Sequence, residues 1–353
     1  MVNFNKIKIS LILGVVFSSF MFSAECYVLV NSDQTIANGS EERPYDTIEE
    51  CIDYLPNSVD NTIHVGPGEY GVSSLNINNR ELRGSGVNST VLYANTSLPD
   101  YIISMANNSE ISHFTITNHP TENWYAQDVI YLAGDTQGGM KIHNIHFKSN
   151  MSDRTIDTQY NQYNSYNYTG SYIAENRMIE ISNNLFGPYH NKVRFLAFQN
   201  KSFLNNMIYG DRLDFDYYSS LSNDSIHEAH IHNNLWLATN YCDWPTNGID
   251  NFTYNLIFNN NQEYINGTSY GSDDGYCGEQ GEYQSENFFT SFNELDFINE
   301  NWNLYHIYYT GANSVLFDSG HPSHEFNDVD GSRSDVGLMG GLYPWTDVGP
   351  IIT

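Results

Sequence analysis

Ile181-Ser-Asn-Asn-Leu-Phe186 returns 22 residues later as Phe203-Leu-Asn-Asn-Met-Ile208. Each hexamer carries apolar residues at its first, fifth and sixth places and an Asn pair between them. The frame recurs as Ile231-His-Asn-Asn-Leu-Trp236 and Phe252-Thr-Tyr-Asn-Leu-Ile257, with looser copies at Ile142-His-Asn-Ile-His-Phe147 and Ile111-Ser-His-Phe-Thr-Ile116. The steps between the six are 31, 39, 22, 28 and 21 residues. A motif that returns every twenty-odd residues with variable inserts marks a solenoid.

The residue types select the kind of solenoid. Short β-branched and aromatic runs flank each Asn pair, and no helix-length apolar period separates the copies. Asn tolerates the left-handed conformation that a sharp bend between two strands needs. Stacking the coils sets these side chains about 4.8 Å apart, where amides hydrogen-bond along the stack. There is no Leu-rich consensus and no even blade length. The expectation is an all-β chain, a right-handed parallel β-helix.

The chain begins like an exported protein. Lys6 and Lys8 precede an apolar run from Ile9 to Phe22, and Ser23 and Ala24 follow, so residues 1–24 read as a signal peptide. Residues 25–353 then form a single domain: an N-terminal strand and cap helix over 25–60, coils over 61–260, and C-terminal loops with a closing segment over 261–353. The chain carries a net charge of −28, and loss of the leader removes two of its 14 cations and no acid, leaving −30. Such a surface excludes nucleic acid and anionic membranes as partners and is compatible with divalent cations. The four cysteines suit export; the expected pairs are Cys26–Cys51 and Cys242–Cys277, out of three possible connectivities.

Residues 39–92 contain the most telling text. Ile48, Cys51, Ile52 and Leu55 share one face of a helix that follows Pro44-Tyr-Asp-Thr-Ile48 and is placed to cap the open end of the solenoid. Thr62-Ile-His-Val65 reads as a strand, Gly66-Pro-Gly-Glu-Tyr70 as a turn, and Leu82-Arg-Gly-Ser-Gly86 as the start of another coil. An earlier strand is expected at Tyr27 to Val30. Pro44 to Ile48, Thr62 to Tyr70 and Leu82 to Gly86 resemble the pectin-lyase-like family of right-handed parallel β-helix proteins. Asp318-Ser-Gly-His-Pro322, Phe326-Asn-Asp-Val-Asp-Gly-Ser-Arg-Ser-Asp335 and Gly340-Gly341 resemble the far end of its bacterial secreted members. The resemblance implies fold and not activity, since the family holds lyases, hydrolases, epimerases and non-catalytic proteins.

Hydrolase signatures are mostly missing: of the Asn-Thr-Asp, Asp-Asp, Gly-His-Gly and Arg-Ile-Lys set, only Asp273-Asp274 is present, in a Gly-rich loop. Residues 117–135 and 151–177 read as inserts between coils. The second is rich in Tyr and Asn, and Tyr166 and Tyr168, like Trp244, are either solvated covering residues or platforms for sugar rings. His227, His230 and His232 read as solvent-facing strand residues in preference to metal ligands. Asp328, Asp330, Ser332 and Asp335, with Gly331 for a sharp turn and Asn327 nearby, resemble half of a calcium loop; the alternative is an acidic turn closing the last coil, with Arg333 paired to Asp335.

Aligning the coils gives the remaining cue. Nine and eleven residues after Asn183 stand Lys192 and Arg194, and at the same offsets from Asn205 stand Asp214 and Asp216. Val193, Leu213 and Phe215 alternate with them and should face the core. The next coil contributes Cys242 and Trp244 at those offsets, with Asp243 between. One reading is a ladder of exposed ion pairs, worth a fraction of a kcal/mol each. The other is a polysaccharide groove in which Lys192 or Arg194 is the catalytic base or charge clamp and Asp214, Asp216 and Asp243 hold calcium. The expected function is therefore binding of an extracellular acidic polysaccharide by a monomeric secreted protein; whether it also cleaves that glycan, by calcium-assisted β-elimination, the sequence leaves open. The competing class is a non-catalytic structural or adhesive β-helix at the cell surface.

Overall fold

The computed structural model describes residues 23–258 and 318–345, apart from 319 and the segments 33–34, 58–60, 97–99, 118, 120–127, 133–137, 149–153, 159–176, 188–190, 194–199, 210–211, 216–227, 238–240, 244–250 and 254–255. Within them the strands form two sheets whose pairings are all parallel, one of 15 strands and one of seven. The molecule is a right-handed parallel β-helix with one α-helix among the described residues, Ile48–Tyr54, at its N-terminal end.

The six hexamers stack in a single register. Ile111 pairs with Ile142, Ile142 with Ile181, Ile181 with Phe203, Phe203 with Ile231 and Ile231 with Phe252. Of these, residues 111, 142, 181, 203 and 231 are buried, and each apolar side chain withdrawn from water contributes about 1.5–3 kcal/mol. Beyond the bend, Phe147 stacks on Phe186 at 4.9 Å between ring centres, and Phe186 packs on Phe203 at 5.6 Å. The core is thus a set of columns running along the helix axis, each column one residue type class deep.

The two Asn of each pair do different work. The first takes the left-handed bend: φ is 53° at Asn144 and Asn183, 54° at Asn205 and 60° at Asn233, with His113 at 66° in the earliest copy. The second makes the amide ladder. Asn184 Nδ2 donates to Asn206 Oδ1 at 3.1 Å, and Asn206 Nδ2 donates to Asn234 Oδ1, also at 3.1 Å. Each of these amides also donates to a strand carbonyl of the preceding coil, that of Ile142, Ile181 or Phe203. All three ladder side chains are fully buried. The expected Asn stack therefore exists, but it runs through the second Asn; Asn205, on the bend, has other partners.

At the N-terminal end the helix starts with a capping box, in which Thr47 Oγ1 accepts from Glu50 N–H and the Glu50 carboxylate accepts from Thr47 N–H. Arg80 Nη2 donates to the Leu55 carbonyl at its other end. The Cys26–Cys51 disulfide ties it to strand Glu25–Val28, which pairs with strand Asn61–Val65. That strand begins two residues earlier than the expected Tyr27–Val30. Gly66–Tyr70 is only partly a turn: Gly68–Val72 is a strand whose Tyr70 side chain is buried and donates to the Gly66 carbonyl. The stretches read as inserts likewise hold strands, Asp128–Leu132 and Arg154–Thr158, both in the seven-stranded sheet.

The closing segment differs most from expectation. Residues 318–345 do not simply end the last coil; they run back along the outside of the bends as a strap. His321 N–H donates to Asn233 Oδ1, and Gly337 N–H to the Asn233 carbonyl. Asn205 Nδ2 donates to Ser334 Oγ and to the Asp335 carbonyl. Asn183 Nδ2 donates to the carbonyls of Leu338 and Gly340, Trp345 Nε1 donates to the Asn183 carbonyl, and Asn144 Nδ2 donates to that of Tyr343. Gly340 and Gly341 lie against Asn205: a Cβ at Gly340 would sit 2.1 Å from the Asp335 carbonyl oxygen, and Gly341 has φ +75°.

Candidate functional site

The seven-stranded sheet carries the charged positions picked out by coil alignment. Lys192, on strand Asn191–Val193, pairs in register with Asp214, on strand Arg212–Phe215. Val193 pairs with Ile156, and Ile156 with Ile130, and the last two are fully buried. Asp214 pairs in turn with Asp243, and Leu213 with Cys242. The predicted offset is therefore one residue out in the third coil, where Asp243, not Cys242 or Trp244, stands beside Asp214; the connection from Asn233 is one residue longer. Lys192, Asp214 and Asp243 occupy neighbouring places on three successive strands. Arg194, Asp216, Tyr166, Tyr168, Trp244 and Cys277 lie outside the described residues.

The outward side of the larger sheet holds a polar cluster that sequence reading passed over. His143, in the same column of the sheet as His232, is 3% exposed. One ring nitrogen lies 2.9 Å from Glu110 and the other 2.8 Å from Asn144 Oδ1. The strap residue Tyr343 stacks on its ring at 3.9 Å, and Lys141 Nζ donates to the Tyr343 hydroxyl at 3.0 Å. The His143 hydrogen bond holds the Glu110 carboxyl below its usual range, and burial pushes the Tyr343 phenol up. Burial likewise lowers neighbouring His113 to about 4, keeping it neutral. The cluster has acid–base residue types, but its His143 is buried under the strap, and its contacts with Tyr343 fasten that segment.

The same covering corrects the reading of His232. It is 1% exposed, with His321 and Phe326 of the strap packed on it at 4.7 and 5.0 Å. His230 sits beside it at 5.7 Å, and His227 is outside the described residues. Strand alternation does turn these histidines away from the core, but a chain segment about 90 residues further on covers them. No local signal in the hexamer announces that.

The acidic turn is built around its own amides. Asp328 accepts from the N–H groups of Asp335 and Gly341, Asp330 from the N–H and hydroxyl of Ser332, and Asp335 from Asp318 N–H. Arg333 Nε donates to the Gly320 carbonyl. Asp335 is 9% exposed; burial, opposed by the Asp318 hydrogen bond and reinforced by Asp328, raises its carboxyl to about 7. Among the described residues there is no group of three or more His, Cys, Asp or Glu side chains placed to hold a metal ion.

No protein-family model matches the sequence, and no curated protein does. Among solved structures the chain is similar in shape to a pectin methylesterase in complex with a hexasaccharide, at 12% identity over 75% of this chain and 94% of that one, with a TM-score of 0.34. A pectin methylesterase from Erwinia chrysanthemi gives 13% identity, 74% and 93% coverage and a TM-score of 0.32. Pectate lyase Pel9A gives 12%, 91% and 98%, and 0.27. At these scores the likeness bears on no residue of the site.

Proposed function

We propose that this chain is a secreted protein that binds an extracellular acidic polysaccharide along the seven-stranded sheet and cleaves it by calcium-assisted β-elimination. The observation that carries the reading is the register that sets Lys192 beside Asp214 and Asp214 beside Asp243. An eliminating site needs a base at the sugar's C5 proton and positive charge on the uronate carboxylate. The C5–H electrons form the C4=C5 double bond, the C4–O bond breaks, and the departing oxygen takes up a proton. Lys192 or Arg194 is the base or the clamp, the base acting in its deprotonated form. Asp214, Asp216 and Asp243 offer the hard oxygen donors that calcium takes, and Tyr166, Tyr168 and Trp244 the rings against which sugars pack. A second calcium at Asp328, Asp330 and Asp335 would have to compete with the turn amides, and would draw the Asp335 carboxyl down from about 7.

Export is supported by the Cys26–Cys51 disulfide, and no helix among the described residues is long and apolar enough to cross a membrane. The test is an absorbance screen for 4,5-unsaturated uronate products over a panel of acidic polysaccharides, with and without calcium. Wild type forms such products with calcium, and Lys192→Ala and Asp214→Ala lose at least about a hundredfold in rate while melting like wild type. A panel that yields no unsaturated product overturns the lyase reading and leaves a stiff acidic rod.

A further inference from the structure

A second recess lies far from Lys192, at the N-terminal end of the larger sheet. Its floor is the outward side of the first three strands, where Tyr27 pairs with His64 and His64 with Arg83. Gly66 and Gly84 line that floor beside these side chains. Its wall is the segment carrying Glu41 and Pro44, which hydrogen-bonds to strand Glu25–Val28 through Tyr27 N–H to the Gly39 carbonyl and Tyr45 N–H to the Tyr27 carbonyl. The disulfide at Cys26 stiffens the same strand. The cavity measures about 320 Å³, at the small end of the roughly 300–1,000 Å³ typical of ligand sites and enough for a sugar ring or two.

The lining carries polar groups that its own contacts use only in part. Arg83 is half exposed, its nearest carboxylate is Glu81 at 3.7 Å, and its guanidinium makes no hydrogen bond among the described residues. Glu41, on the opposite wall, makes none either and is not within ion-pair distance of Arg83. His64 Nε2 is buried without a hydrogen-bond partner, with Glu25 at 3.8 Å, and its ring stacks on Tyr27 at 4.7 Å. A guanidinium and a carboxylate that share a small cavity and do not reach each other suit a ligand that bridges them. One end must be anionic and planar enough for Arg83, the other rich in hydrogen-bond donors for Glu41.

We propose that this recess binds a single hexuronate unit, its carboxylate on Arg83, its ring hydroxyls donating to Glu41, and its less polar face against Pro44. That the hydroxyl-rich body is a sugar rests on the glycan function proposed above; the carboxylate-plus-donor pattern rests on the cavity alone. The site grips a chain end or a branch at the cap, on a different sheet from the Lys192 face.

Isothermal titration of the whole protein with galacturonate, galactose and acetate tests it. Galacturonate binds wild type, and galactose and acetate bind at least about tenfold more weakly. Arg83→Gln and Glu41→Gln each weaken galacturonate about tenfold with melting unchanged. No binding of galacturonate, equal binding of acetate or galactose, or indifference to both Arg83→Gln and Glu41→Gln overturns the proposal. So does a loss confined to Lys192→Ala, which assigns the sugar to the other face and leaves that reading standing.

Discussion

Asn205 and Asn206 are adjacent, chemically identical and not interchangeable. Asn206 accepts from the N–H and the side-chain amide of Asn184 and donates to Asn234 and to the Ile181 carbonyl. Replacing it by Leu takes the acceptor from the buried Asn184 N–H and a donor from the Ile181 carbonyl on the preceding coil, and one of two donors from Asn234 Oδ1 on the next, a cost of about 3 kcal/mol or more. Asn205→Gly keeps the left-handed bend, loses only the strap contacts, and costs less. Chemical denaturation of the two variants should therefore rank Asn206→Leu well below Asn205→Gly; equal midpoints would show that the ladder does not discriminate the two places. The pair as a pair was legible from its recurrence in the sequence, as was its need for a left-handed residue. The division of labour was not, because it depends on which amide points between coils and which points out.

At the scale of the element, the strap is the part most sensitive to conditions. Asp335 sits in it with a carboxyl raised to about 7, so in the folded state the neutral form is favoured relative to an ordinary value near 3.8. Raised acid pKa values make a group's stabilising share complete below 3.8; it falls as pH climbs towards 7 and is gone above. The titratable neighbours are Asp318, Asp328 and Asp330. Amide hydrogen exchange over residues 334–341 should accordingly quicken between pH 5 and pH 8, after correction for intrinsic rates. Asp335→Asn, which retains an oxygen for Asp318 N–H, should flatten that difference; an unaltered slope would place the effect on another group. The acidic run was visible in the sequence as a candidate calcium loop. What could not be seen there is that its carboxylates cap their own turn, because Asp328 reaches Gly341 and Asp335 together only once the chain has doubled back.

For the whole molecule, the repeated hexamers were enough to specify stacking, and far-ultraviolet dichroism should be β-dominated with helix confined to about the single cap. The cap itself followed from an apolar helical face beside Cys51, and the disulfide from two cysteines near one end. The charged face was legible only as far as the coils keep step; a one-residue difference in one connection moved Asp243 into the place assigned to its neighbours. The buried His232 was read as exposed because strand alternation says which way a side chain points and nothing about a distant segment that arrives to cover it.

That arrival has a consequence for how the chain is made. Coils contact only their neighbours, so they can form in order as the polypeptide emerges, each on the template of the last. The strap contacts run against that order: Lys141 meets Tyr343 across 202 residues of chain, and Asn183 meets Trp345 across 162. Contacts of such separation form late and slowly. The segment that seals the bends is thus synthesised long after the coils it covers, and a chain stopped before residue 318 lacks that closure. Such a truncated chain should refold to β-rich dichroism without a slow final phase, and should be cut by protease at bends that the full-length protein shields. Resistance in this sense records the arrival of the strap: only a chain that carries residues 318–345 acquires it.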